Sequence, residues 1–124
     1  MARPPMNMEL FKRVRRNMLE EPRRVNLLVY LNTNSNIAPC GAEGCVAGWI
    51  CALGAPSVRV KDYPDEAAEL LNVPERITRG LFSIHLPGTS EPNTQRYAEG
   101  VVRKMGRFVQ NYYPDQYEEW QRED

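Results

Sequence analysis

"PCGAEGCVAGWICALGAP", residues 39–56, carries one charged residue, Glu43, in a chain of 124 residues of which 26% are charged. At about 100° per residue, Gly44, Ala47, Gly48 and Cys51 fall on one small-residue face of a helix, and Val46, Ile50 and Leu53 form a bulkier one. A helix that is apolar nearly all round belongs at the centre of a domain. The spacing predicts a helix that opens at Gly44 or Cys45 and closes before Gly54, with Pro56 unable to continue it. The small face alone explains Ala47, Gly48 and Cys51 as a packing surface that another backbone can approach closely.

Outward from this stretch the apolar pattern stays helical. Asn7 precedes Met8, Leu10, Phe11, Val14, Met18 and Leu19, which recur near helical spacing until Pro22 stops them. "VNLLVYL", residues 25–31, fits neither period cleanly and is expected to be irregular or a short helix, with "NTNSN" a loop after it. "SVRVKDY" reads as extended, Asp62 as the cap of "PDEAAELLNV", and Pro74 as the first residue of a short helix "PERITRGLFS". Residues 84–93, "IHLPGTSEPN", are expected to form a mobile loop. The longest helix should run from Asn93 to Tyr112 with Tyr97, Val101, Met105, Phe108, Val109 and Tyr112 on its apolar face. Gly100 and Gly106 mark a bend or a close approach there, and Pro114 opens a terminal helix bearing Tyr117 and Trp120. The expected fold is all-α, a compact single domain over residues 1–124 with about five helices around the short central apolar one.

Length and charge limit the functions. A chain this long makes one domain with a real core, and no apolar run approaches the ~20 residues that span a bilayer. The amino terminus lacks the continuous apolar segment of a secretory signal, so a cytoplasmic protein without membrane contact is expected. Cys40, Cys45 and Cys51 are an odd number without framework spacing, which argues against structural disulfides. Sixteen basic residues balance sixteen acidic ones, yet the first helix is basic and the end, "PDQYEEWQRED", is acidic. Such opposite ends pair within one chain or between copies, so a homo-oligomer is one expectation. Lys12, Arg13, Arg15 and Arg16 are read as a solvated helix face rather than a nucleic-acid surface, since no aromatic is interleaved and net charge is zero.

The "CGAEG" entry to the central helix points to chemistry. A glycine-rich helix start presents backbone N–H groups at the positive end of the dipole, an arrangement that attracts anions. It lacks the lysine and spacing of a P-loop. The candidate ligand-binding set is Cys40, Gly41, Gly44 and Cys45 for backbone N–H groups and close approach, Trp49 or Tyr63 for stacking, and Arg76, Arg79 or Arg96 for counter-charge. A rival reading makes Cys45 a nucleophile with its thiolate stabilised at the helix start and His85, the one histidine, as base. A zinc site from Cys40, Cys45, Cys51 and His85 has enough ligands, but Cys45 and Cys51 diverge by ~120° on one helix, so no metal and no cofactor is expected.

"CGAEGCVAGW", residues 40–49, resembles a motif of small, largely uncharacterised bacterial and phage proteins: Cys-Gly, three variable positions, Cys, an apolar residue, then Ala-Gly-Trp. Cys40, Gly41, Cys45, Ala47, Gly48 and Trp49 match it position by position. Those proteins also share a first helix ending at a proline, as in "FKRVRRNMLEEP", and a leucine-rich turn before Leu-Phe, as in "AAELLNVPERITRGLF". The likeness spans residues 8–83 and implies a bacterial or phage-infected cytosol without implying an activity. The leading expectation is a non-enzymatic protein holding a small anionic, nucleotide-like ligand, with sequestration of a host immune signalling nucleotide as its use. The rivals are an inhibitor or adaptor that binds a host protein through Tyr112, Tyr113, Tyr117 and Trp120, and the Cys45–His85 thiol enzyme.

Overall fold

A computed structural model describes residues 4–25, 31–32, 43–55, 63–82 and 94–122. Among them the chain is all-α: helices α1 (Met8–Glu20), α2 (Val46–Gly54), α3 (Tyr63–Leu71), α4 (Gln95–Tyr112) and α5 (Tyr117–Gln121). Strands β1 (Leu31–Asn32) and β2 (Glu43–Gly44) add a small antiparallel ladder that pairs Leu31 with Gly44. Leu31 thus ends the ambiguous "VNLLVYL" run in a strand, and Gly44 sits in a ladder just before α2. The expected loop at 84–93 and the Asp62 cap lie outside the described residues.

Helix α2 is the buried centre. Val46, Ala47, Gly48, Trp49, Ile50 and Cys51 are all buried, and α2 packs on α3 and α1. Its first turn is capped by Cys45, whose Sγ accepts the Gly48 N–H at 3.4 Å, so a weakly polar side chain does the work of a serine where water is excluded. At the other end Gly54 is inside the helix, one residue later than expected, and Ala55 donates its N–H to the Cys51 carbonyl at 2.9 Å. A Cβ on Gly54 would lie 2.9 Å from Leu10 Cδ2 and 3.2 Å from Leu70 Cδ1, so α1 and α3 both close on this helix end.

Helix α1 begins and ends as its sequence predicts, with Asn7 Oδ1 accepting the Leu10 N–H at 3.2 Å and the chain turning at Pro22. Its polar face is less basic than expected. Lys12 is buried, and Arg15 is drawn onto α5, with its guanidinium 4.2 Å from the centre of the Trp120 ring. Arg15 donates to the Trp120 carbonyl and, at 2.7 Å, to the Arg122 carbonyl. Arg13 and Arg16 remain exposed, so the face reduces to a broken pair rather than a continuous basic strip.

Two other helices differ from expectation. Pro74 is extended (ψ 135°) and caps a single 3-10 turn, Glu75–Ile77, instead of starting a helix. Thr78 follows with its hydroxyl donating to the Glu75 carbonyl at 2.7 Å, which closes the turn on itself before a helix can propagate. Helix α4 starts two residues after Asn93, because Thr94 takes the cap and accepts the Tyr97 N–H at 3.2 Å.

The core joins these elements through Phe11, Val14, Met18, Ile50, Leu71, Val101, Met105 and Val109, all fully buried. Phe11 meets Phe108 edge-on at 6.2 Å and Trp120 at 5.3 Å, linking α1, α4 and α5. The aromatic rows that suggested a docking face are therefore largely core: Tyr113 and Trp120 are buried, Tyr117 is half-buried, and Tyr112 alone of the four is exposed. Gly106 is where Trp120 comes closest to α4, since a Cβ there would stand 2.8 Å from its Nε1.

Gly106→Ala is expected to destabilise the fold by about 1–3 kcal/mol, because Trp120 must back out of its seat and loosen Arg15 with it. Alanine at an ordinary helix position would instead stabilise by roughly 1 kcal/mol. Thermal or urea unfolding of the two proteins reads the sign directly.

Candidate functional site

Of the expected anion-binding helix start, Cys45 and the first turn of α2 are buried. Cys45 is 3% exposed, and its sulfur already occupies the Gly48 N–H that a ligand would need. Trp49, a candidate stacking surface, is 5% exposed and belongs to the core, which leaves almost none of its ring for a ligand. Cys40, Gly41 and His85 lie outside the described residues.

The two described thiols, Cys45 and Cys51, are poorly set up for nucleophilic chemistry. Burial pushes the Cys45 thiol above its ordinary value, against the pull of backbone N–H groups at Gly48 and Ala47 and of nearby Lys104. Cys51 is pushed up to about 12, first by burial, then by the Glu66 carboxylate and by Cys45. Its Sγ lies 3.6 Å from the Tyr63 carbonyl, to which it donates. Half-buried Lys104 shows the complementary response, with burial bringing its ammonium down to about 8 while Cys45 acts in the opposite direction. A reactive cysteine needs the reverse, a thiolate favoured at neutral pH. Among the described residues no three His, Cys, Asp or Glu side chains gather as metal ligands, and no helix is long and apolar enough to cross a membrane.

Two of the three predicted counter-charges, Arg76 and Arg79, line one groove, and Cys45 is not part of that lining. Pro64 on the first turn of α3 faces the turns at 75–82 across an open groove of about 510 Å³, lined also by Glu75, Arg76, Thr78, Arg79 and Phe82. Arg76 and Arg79 are exposed, and no described residue accepts an ion pair or hydrogen bond from either guanidinium. Tyr63, the other stacking candidate, is half-buried at the start of α3, and Phe82 provides the ring in the groove instead. Arg96 is exposed on the first turn of α4 and is not part of the groove lining.

The sequence reading missed Phe82, Thr78 and Pro64. The signal was present in "RITRGLF": two arginines three apart, then a glycine, then an aromatic. Arg76 lies in the 3-10 turn and Arg79 in the turn that follows it, where Gly80 has nothing within 4 Å of where a Cβ would stand.

Two outcomes are expected for the thiols. In a Cys40→Ala protein at neutral pH, Cys45 and Cys51 should alkylate slowly and together, and rapidly only in denaturant; quick labelling of native Cys45 alone would contradict the burial seen here. For the second, the folded Cys51 thiol keeps its proton toward pH 12 whereas an unperturbed thiol ionises near 9.0. The folded state therefore binds more protons over that window, and this contribution to stability is complete below about pH 9 and is lost as pH rises toward 12. The stability difference between the wild type and Cys51→Ala should shrink over that range in denaturant titrations.

Comparison of the chain with protein-family models, curated proteins and solved structures found no match.

Proposed function

We propose that this is a non-enzymatic binding protein of bacterial or phage origin that holds a small anionic, nucleotide-like ligand in the Arg76–Arg79–Phe82 groove. The observation that carries the reading is the pairing of two exposed guanidiniums, free of described partners, with an aromatic side chain in one groove. Guanidinium forks match phosphate oxygens bidentately, and an aromatic face takes a flat ring. Thr78 is buried and spends its hydroxyl on the Glu75 carbonyl, and the described thiols are buried with raised proton affinity, so the groove offers recognition without a described nucleophile.

The origin rests on the residue 40–49 motif, and the expected site of action is the cytosol of a bacterium or an infected host. Capturing a signalling nucleotide without changing it suits a groove of this kind, and withdrawal of a host immune signal is the use we assign to it.

Calorimetric titration with AMP, adenosine and inorganic phosphate tests the reading. AMP should bind, adenosine far more weakly, and affinity should fall as salt is raised, because the contacts are exposed charges. Arg76→Ala and Arg79→Ala should each weaken AMP by about tenfold or more, the loss of one charge-assisted contact. AMP released on heating should be chemically unchanged. Absence of AMP binding at about 1 mM, or recovery of an altered product, would overturn the proposal.

A further inference from the structure

Arg76 lines two hollows. On one side is the groove just described; on the other is a second hollow of about 430 Å³ between the end of α3 and Tyr113, lined by Glu69, Asn72, Val73 and Pro74 among others. Among the described residues lining the second hollow, Arg76 is the one cation. Exposed Arg76 thus belongs to the walls of two hollows, each within the ~300–1,000 Å³ range of small-ligand sites.

The two hollows repeat a chemistry. Each has a proline in its wall, Pro64 and Pro74, and half-buried Phe82 gives the first an aromatic face, whereas Tyr113 behind the second is buried. Each also has a carboxylate, Glu75 and Glu69 respectively, both exposed. An ionised carboxylate only accepts hydrogen bonds and repels anions, and Arg76 in both walls repels a cation, so an uncharged group that donates fits each hollow. Negative charge has its place where the hollows meet, at Arg76, with Arg79 beside it in the wall of the first hollow. A polyphosphate or a doubly phosphorylated lipid would set an anion against Glu69 or Glu75.

We infer that the ligand is a dinucleotide whose bridging phosphate is held by Arg76 and Arg79 and whose two bases, each with an exocyclic amino group, enter the two hollows and donate to Glu75 and Glu69. This inference rests on the groove being a nucleotide site, and it deepens that reading by making the site bipartite. The joined halves bind as one: once the first base and the phosphate are seated, the second base is delivered at high effective concentration. Guanine offers an N1–H and an amino group side by side to a carboxylate, whereas uracil has no amino group and its single N3–H is flanked by two carbonyl oxygens that the carboxylate repels.

The full chain is titrated by calorimetry with GMP, UMP and the 3′,5′-linked dinucleotides GpG and UpU. GpG should bind at least about tenfold more tightly than GMP, and UpU should gain nothing over UMP. Arg76→Ala should weaken GMP and GpG alike. Glu69→Gln, on an exposed face of α3, should erase most of the GpG advantage and weaken GMP far less than GpG. GMP binding that depends on Arg76 with no GpG advantage, or a GpG advantage untouched by Glu69→Gln, would overturn the bipartite site while sparing the nucleotide groove. Failure of all four ligands to bind would remove both.

Discussion

A helix without a polar face is the constraint that organises this protein. Residues 46–51 of α2 are all buried, so other elements must cover the helix on every side, and α1 and α3 do so directly. The same constraint reaches the polar atoms at its ends. With water excluded, the first-turn N–H of Gly48 is met by the Cys45 sulfur, and the Cys51 thiol is turned to the Tyr63 carbonyl, so the thiols serve as internal hydrogen-bonding groups that tolerate burial. Their raised proton affinity follows from that role, since an ion in this environment would lose its hydration without an adequate replacement.

Burial at the centre also moves the chemistry to the rim. Because α2 is enclosed, the exposed charges able to meet a ligand are on the segments that wrap it, and the turns after α3 hold two arginines close together. These turns are short and held at both ends: Thr78 closes on Glu75, and Asn72, at φ 60°, reverses the chain after α3 while its Nδ2 donates to the Pro5 carbonyl at 3.0 Å. The arginines are thereby carried on a fixed backbone while their side chains stay available.

Much of the fold was legible because local rules and burial agree. Asn7 and Pro22 bracket α1, and the unbroken apolar run identifies α2 as central. The misses have separate physical causes. Thr94 was hidden among other turn formers, and its cap shortened α4. Lys12 and Arg15 looked like solvent-facing charges, yet a long side chain can bury its stem, and Trp120 gave Arg15 a ring to cover. At the site, Arg76 and Arg79 were recognisable as counter-charges, whereas their union with Phe82 and Pro64 depends on how the chain turns after α3, which no periodicity encodes. The cysteine and glycine motif drew attention as a binding loop because dipole and glycine content favour anions; the structure fills that place with a sulfur cap and core packing.

The two ends of the described chain are tied by a side chain that imitates a strand. Gln116 accepts the Met6 N–H at 2.9 Å and returns its own Nε2–H to the Met6 carbonyl at 3.1 Å, and Arg15 reaches the backbone of residues 120 and 122 close by. These bonds join positions more than a hundred residues apart. During synthesis, at roughly 5–20 residues per second, α1 leaves the ribosome early and then waits several seconds for the segment that fastens it. Its apolar stripe stays without its final cover for that whole interval, so this small domain closes late and from both ends at once, like a ring whose clasp is made last.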